Sequence, residues 1–412
     1  MPAIYQDSAI YIALSKNAPF SFSPSRPNGY PVVLRALSVV SSNLDVVTAA
    51  QHLAGLVVGL LVYILLVRLG TRRWVASIVT ALLVVDAYAV ALEQDVLTEA
   101  FFTLTLTACA CLMVATERRP AQVVASGALL AAATTMRVVG MFAVPFWIAY
   151  LVWLRLGRRT VVAGVAAVIG PLLAYCAFHA AHGHGFGFNA GDGWYLYGKV
   201  GAIVDCSGAR IPERTRPLCD GPRGQPTEFY LYSRSSPAQV LFFGPTEPIE
   251  LEKGWNHENG RLLRSFSVGI ILAQPREYAS LVLEDFFNYF RPTKASVEMT
   301  LFAQPRDPLG GYEHWFHMPW WIVTASTVIA LLSVTQSRPG NRSGQIAFLL
   351  AMALSLLLGT AATAGFNPRY VIPLQPLLLA AGAMGIEDLL RKEARSPAEP
   401  AERAEPAEVS SE

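Results

Sequence analysis

A chain of 412 residues that is 53% hydrophobic and only 15% charged lies outside the range of soluble domains and reads as a polytopic membrane protein. A formal net charge of +2 leaves no basic excess to hold a nucleic acid. The opening MPAIYQDSAIYIALSK lacks an apolar core, so no cleavable signal peptide is read there.

In chain order, residues 1–45 form a first polar segment. Six apolar stretches follow within 46–181, at 46–67, 74–92, 96–115, 121–139, 141–154 and 160–180. A long polar segment occupies 182–317. Three more apolar stretches, 318–335, 345–364 and 370–389, fill 318–389, and an Ala/Pro/Glu-rich tail, 390–412, reads as disordered. A helix needs about 20 residues to cross a bilayer. The pattern therefore predicts an all-α bundle of about nine spans. The stretch 141–154 is short and admits a re-entrant reading, but removing it breaks the alternation of loop charge.

Lys and Arg in short loops set orientation. RLGTRR (68–73), ERRP (117–120), RLGRR (155–159) and SRPGNR (337–342) are basic, and they alternate with turns near 93–99, 138–141 and 365–368 that are not. The basic set is assigned to the cytoplasm. The 1–45 segment, the turns and 182–317 then fall outside. Cys109, Cys111 and Cys176 lie in spans as small apolar residues. Cys206 and Cys219, in DCSGARIPERTRPLC on the outer side, are expected to form a disulfide, with two free thiols as the alternative. Beyond residue 256 the outer segment has helical periodicity broken at Pro275. The stripe after Pro275 suits a helix on the membrane surface or against the outer segment, because Glu284 and Asp285 interrupt it.

ALEQDVLTEAFF (91–102) interrupts two oily stretches with Glu93, Asp95 and Glu99. An Asp at the centre of a spanning helix costs about 2.5–3.5 kcal/mol, so these acids belong at the outer interface. Asp95 reads equally as a helix end. Glu99 opens an apolar span where any small residue would serve. Asp86, seven residues before Glu93, is expected on the same helix face, and an intramembrane acid is a functional candidate. Asp7 lies on the same side, followed by Arg26 and Tyr30 in SRPNGYPVVLRAL. Arg137 in TTMRVVG and Arg369–Tyr370 in GFNPRYVIPLQPLL reach that depth too. Arg offers a fork of donors suited to phosphate, although both Arg137 and Arg369 also suit snorkelling anchors. Gln51 and His52 either line a lipid cavity or bond between helices. HAAHGHG (179–185) has metal-like spacing but reads first as a flexible connector. HWFH (314–317) reads as an interfacial aromatic anchor.

Taken in order, QDSAIY, SRPNGYPVVLRAL, AAQHLAGLVVGLLVYILLVRLG, ALEQDVLTEAFF, the two outer cysteines and NPRYVIPLQPLL resemble the actinobacterial, phospholipid-carrier-dependent glycosyltransferases of the GT-C superfamily. They are more distantly similar to protein O-mannosyltransferases and lipid A aminoarabinose transferases. The resemblance runs from about residue 5 to 390 and rests on order and topology rather than on one diagnostic motif. It implies a multi-pass cell-membrane enzyme with its active site on the extracytoplasmic face, a sugar donor on a polyprenyl phosphate, and a glycan, lipid or protein acceptor. It implies Asp7 as the catalytic acid of the first outer loop and the turn Glu93–Glu99 as a second acidic element. Arg369 and Tyr370 would meet the carrier phosphate. It also implies a span ahead of the Asp7 loop.

The mechanism this suggests has Asp7 as general base and Arg369, with Arg26 or Arg137, stabilising the departing phosphate. Glu93 and Glu99 would orient the acceptor or the sugar, or help hold a divalent cation; Tyr30, His52, Asp86 and Asp95 would complete the substrate cavity. A transporter or flippase is the first rival, but it would show internal repeats and helices broken at mid-membrane. A non-catalytic assembly protein is the second.

Overall fold

The computed structural model describes residues 6–23, 25–115, 119–244, 256–291, 318–337 and 340–393. Its regular elements are helices. The first polar segment holds α1 (Gln6–Ser15) and α2 (Gly29–Ser38), and the bundle begins with α3 (Leu44–Arg68). There follow α4 (Arg73–Val85), α5 (Ala87–Gln94), α6 (Glu99–Val114), α7 (Pro120–Met136), a 3-10 turn Val138–Ala143 running into α8 (Val144–Trp153), and α9 (Arg158–Ala181). The outer segment contains α10 (Asp192–Val200), α11 (Thr227–Tyr232), α12 (Pro237–Phe243), α13 (His257–Ala273) and α14 (Pro275–Asn288). The chain returns through α15 (Trp320–Gln336), α16 (Asn341–Thr363) and α17 (Gln375–Glu393).

All nine predicted apolar stretches fall on helices. Leu44–Arg68, Arg158–Ala181, Asn341–Thr363 and Pro368–Arg391 are long and apolar enough to cross a membrane. The stretch 74–92 is not one helix: α4 and α5 meet at a 45° bend. Glu99–Val114, Pro120–Met136, Val138–Trp153 and Trp320–Gln336 are shorter apolar helices. Lipid exposure is written on α3. Leu53, Leu56, Leu60 and Ile64 face outward while Ala54, Val58, Val62 and Leu65 are buried. A helix apolar on its outer face as well as its inner one suits a bilayer rather than water.

Polar side chains fasten the core where lipid offers no hydrophobic drive between helices. The fully buried Trp147 donates its indole N–H to Ser126 Oγ at 2.9 Å, and Ser126 donates to the carbonyl of Cys109 at 2.9 Å. Helices α7 and α9 approach through glycines: a Cβ at Gly127 would lie 2.8 Å from the Gly164 carbonyl oxygen.

Two of the loops predicted to be cytoplasmic, 68–73 and 337–342, meet at one end together with the end of α17. Arg342 donates to the Leu69 carbonyl at 2.5 Å, Arg391 to that of Gly70 at 2.6 Å, and the Arg72 amide to Glu387 at 3.2 Å. At the other end the outer segment builds a second core on Trp194, Tyr197, Tyr230 and Phe266. Cys206 and Cys219 are disulfide-bonded there, as expected. The predicted break at Pro275 separates α13 from α14. Helix α14 packs on the end of α16, with the Tyr278 hydroxyl donating to the Ala362 carbonyl at 2.8 Å. The motif at 314–317, the first two residues of ERRP and the tail beyond 393 lie outside the described residues.

Replacing Gly127 by Val should force α7 and α9 apart and cost about 1–3 kcal/mol. A thermal melt of the purified protein in detergent should show a lower midpoint; an unchanged midpoint would mean that this approach does not limit packing.

Candidate active site

Asp7 stands in the first turn of α1, and Arg26 in the loop to α2. Arg26 Nη2 donates to Asp7 Oδ1 at 2.6 Å, while its Nη1 donates to the Tyr195 hydroxyl on α10. Burial alone depresses the Arg26 guanidinium, but Tyr195 and Asp7 outweigh it and hold the group well above the ordinary arginine value.

Glu99 is the first residue of α6 and Arg137 follows the last residue of α7. These are the helix ends at which a negative and a positive charge respectively meet a favourable macrodipole. Arg137 Nη1 lies 2.5 Å from Glu99 Oε1, and Arg369 Nε lies 3.1 Å from the same oxygen. The Thr98 hydroxyl donates to Glu99 Oε2 at 3.2 Å. Arg369 also reaches toward Asp7, with Nη2 3.8 Å from Oδ2. It stands on the 3-10 turn Pro368–Tyr370, whose start is fixed by the Asn367 side chain accepting from the Arg369 amide at 3.0 Å. The Tyr370 ring lies 5.1 Å from the Arg137 guanidinium carbon and 5.7 Å from that of Arg369.

Four separated parts of the chain thus bring three guanidiniums and two carboxylates together. Arg137 and Arg369 are 14% and 17% exposed at their side chains and Glu99 is 4% exposed, so both guanidiniums are held largely inside the protein. One positive charge is in excess. Such a charge held largely away from water favours an anionic ligand with oxygens for the guanidinium forks.

The acidic turn is not one cluster. Glu93 Oε2 pairs with His52 Nδ1 at 2.9 Å, and His52 Nε2 lies 2.9 Å from Gln94 Oε1. Gly55 makes room for this pair, since a Cβ there would lie 1.8 Å from Glu93 Oε1. Buried Gln51 donates to the carbonyls of Glu93 at 2.8 Å and Asp95 at 2.6 Å, and accepts from Tyr30 at 2.6 Å. Gln51 and Tyr30 therefore shape the turn from inside. Glu93 and Glu99 line a common cavity of about 40 Å³, walled by Val58, Leu83, Leu92 and Ile372.

One expectation needs correction, and one alternative is disfavoured. Asp86 does not share a continuous helix with Glu93: it sits at the bend, closing α4 and capping α5. Its Oδ1 accepts from the Tyr88 amide at 3.4 Å and from the Met318 amide at 3.1 Å. The shared divalent cation also fits poorly, because Glu99 is engaged by two guanidiniums and Glu93 by His52. Among the described residues no group of three or more His, Cys, Asp or Glu side chains is placed to hold a metal ion. His179 and His182 bond to the carbonyls of Gly185 and Phe178 and join an aromatic group with Phe22 and Phe178.

Tyr195 and Thr98 were not legible as site residues. Neither was a buried pair behind the site, Lys199 and Asp285. The Lys199 ammonium is buried, which pushes its proton affinity down, and Asp285 offsets that in part. A lone Lys within WYLYGKVG was the available signal.

In sequence, residues 43–179 match the family described as dolichyl-phosphate-mannose-protein mannosyltransferase, which agrees with the glycosyltransferase reading. No curated protein matches the chain. Among solved structures, the chain is similar to the archaeal oligosaccharyltransferase AglB from Archaeoglobus fulgidus in complex with an inhibitory peptide and a dolichol-phosphate. That similarity has 12% identity and a TM-score of 0.41, and it covers 94% of this chain and 46% of AglB. The chain therefore spans about half the length of that protein. It is also similar to ArnT from Cupriavidus metallidurans in the apo state, with 11% identity and a TM-score of 0.34, covering 92% of this chain and 72% of ArnT.

Gln51→Leu should strip the turn of both carbonyl partners and lower the melting midpoint, at about 1–3 kcal/mol for each orphaned group. Asp95→Asn should cost much less. Equal midpoints for the two variants would show that Gln51 does not support the turn.

Proposed function

We propose that this multi-pass membrane protein is a glycosyltransferase that moves a sugar from a polyprenyl-phosphate carrier to an acceptor hydroxyl on the extracytoplasmic face. The observation that carries this reading is the largely buried set of three guanidiniums against the two carboxylates Asp7 and Glu99. The family match over 43–179 supports it. Orientation draws support from the gathering of Arg72, Arg342 and Arg391 at the opposite end, as the positive-inside rule requires of the cytoplasmic side.

In the reaction the acceptor oxygen bonds to the anomeric carbon as the bond from that carbon to the phosphate oxygen breaks. The acceptor proton passes to Asp7, and the electron pair of the broken bond leaves on the lipid phosphate. Arg369, Arg26 and Arg137 stabilise the developing charge, an effect strengthened where water is excluded. Arrival of the phosphate draws guanidiniums from the carboxylates and frees Asp7 to act as base. Glu99 holds Arg137 and Arg369 in register from behind. Glu93 and His52 lie beside this arrangement and suit contacts to the sugar or acceptor.

The direct test is transfer of radiolabelled sugar from polyprenyl phosphate in membranes. Asp7→Asn should abolish transfer at normal expression. Glu99→Gln should lower it strongly, Glu93→Gln less, and Asp95→Asn least. Arg369→Lys should weaken donor binding, because a point charge loses the fork. Full transfer by Asp7→Asn would remove this mechanism, and unchanged donor affinity in Arg369→Ala would return that residue to an anchoring role. For topology, an impermeant thiol reagent on intact cells should label Cys206 and Cys219 only after reduction; labelling that needs lysis would reverse the orientation.

A further inference from the structure

Two residues one helical turn apart on α10 reach the two halves of the site. Tyr195 bonds Arg26, which holds Asp7. Lys199, four residues later and so on the same helix face, pairs with Asp285 Oδ2 and donates to the Leu281 carbonyl at 3.2 Å. The same Asp285 oxygen accepts from the Phe366 amide at 2.9 Å. Phe366 opens the short run Phe366–Asn367–Pro368 that leads to Arg369. Gly365 before it has φ +82°, and a Cβ there would sit 2.8 Å from Thr227 Oγ1 and 3.3 Å from Asp285 Oδ2. Tyr289 donates to the Gly365 carbonyl at 3.4 Å. The loop bearing Arg369 is therefore held by Asp285 on α14 and by Tyr289 just after it, and Lys199 on α10 braces Asp285.

A buried ion pair is a poor general stabiliser, because desolvation costs offset much of its attraction. Lys199 is 1% exposed at its side chain. The pair makes sense as a device for placing one backbone amide, and with it one loop.

We propose that Lys199 and Asp285 are positioning residues that fix the Arg369 loop, so that α10 sets the register between the base Asp7 and the phosphate-binding guanidinium. The functional consequence rests on the glycosyltransferase reading; the clasp itself does not. It gives the outer segment a task beyond covering the site: its fold determines the spacing of the reacting groups.

Hydrogen–deuterium exchange of the full-length protein in lipid nanodiscs, read at residues 364–370, tests the clasp without any substrate. In Lys199→Met, exchange of the Phe366 amide should rise by about tenfold or more, while the core of α16 stays protected. In the transfer assay kcat/KM for the lipid-linked donor should fall by about 10²-fold, the scale of a small misplacement. Adding Lys199→Met to Arg369→Ala should bring little further loss, because both act through one group. Lys199→Arg should recover part of the activity. Should Lys199→Met fail to fold, Asp285→Asn, which keeps an oxygen for the amide but drops the charge, must show the same increase in exchange. Unchanged exchange at 364–370 in a folded variant overturns the clasp; a fully multiplicative loss in the double variant overturns its action through Arg369. If the wild-type protein transfers no sugar while exchange responds as expected, the functional reading fails and the clasp stands.

Discussion

Glu99 is one carboxylate shared by two guanidiniums, 4% exposed at its side chain and placed at the start of the apolar helix α6. Everything else at the site is arranged around that constraint. A lone carboxylate at this depth would cost several kcal/mol in desolvation. Arg137 alone would settle it. With Arg369 added, the local balance turns positive, and Arg26 with Asp7 carries the pattern outward. An arrangement that merely neutralised charge would stop at one arginine per acid. The surplus guanidinium is what an anion supplies a reason for.

The geometry also divides labour among the acids. Asp7 and Glu99 share Arg369 from opposite sides. Asp7 lies on α1 of the first segment, linked through Arg26 to Tyr195, while Glu99 holds the arginines at the start of α6. Glu93 turns away to His52, and Asp86 is spent on a helix cap. The bend at Asp86 is itself a consequence: a carboxylate inside an apolar stretch is tolerable where it accepts from free amide donors at a helix start.

Much of this was legible in the sequence. Apolar runs marked where helices form, because burial in lipid demands them, although 74–92 breaks into two. The outer-end acids and arginines were legible individually, since a charge at span depth needs a reason. The disulfide was legible from the compartment expected for its loop. Pairing was not. Glu99 lies 38 residues from Arg137 and 270 from Arg369, and no local pattern relates them. Asp86 misled because helical spacing was carried across a break. An Asp followed by fresh helix is also a capping signal, and that reading was available. Lys199 and Asp285 were hidden for the opposite reason: an isolated charge in a polar segment looks like surface, and only tertiary packing makes the pair buried.

The claim on which the account turns is that the guanidinium surplus recognises a lipid-linked phosphate. Binding of polyprenyl phosphate and of the uncharged polyprenol of equal chain length to the purified protein, measured side by side in nanodiscs, addresses it most directly. The account predicts a preference for the phosphate of at least about tenfold, equivalent to about 1.4 kcal/mol, that weakens when Arg369 is replaced by Ala. Equal affinity for the two lipids, or a phosphate preference untouched by that substitution, would contradict it.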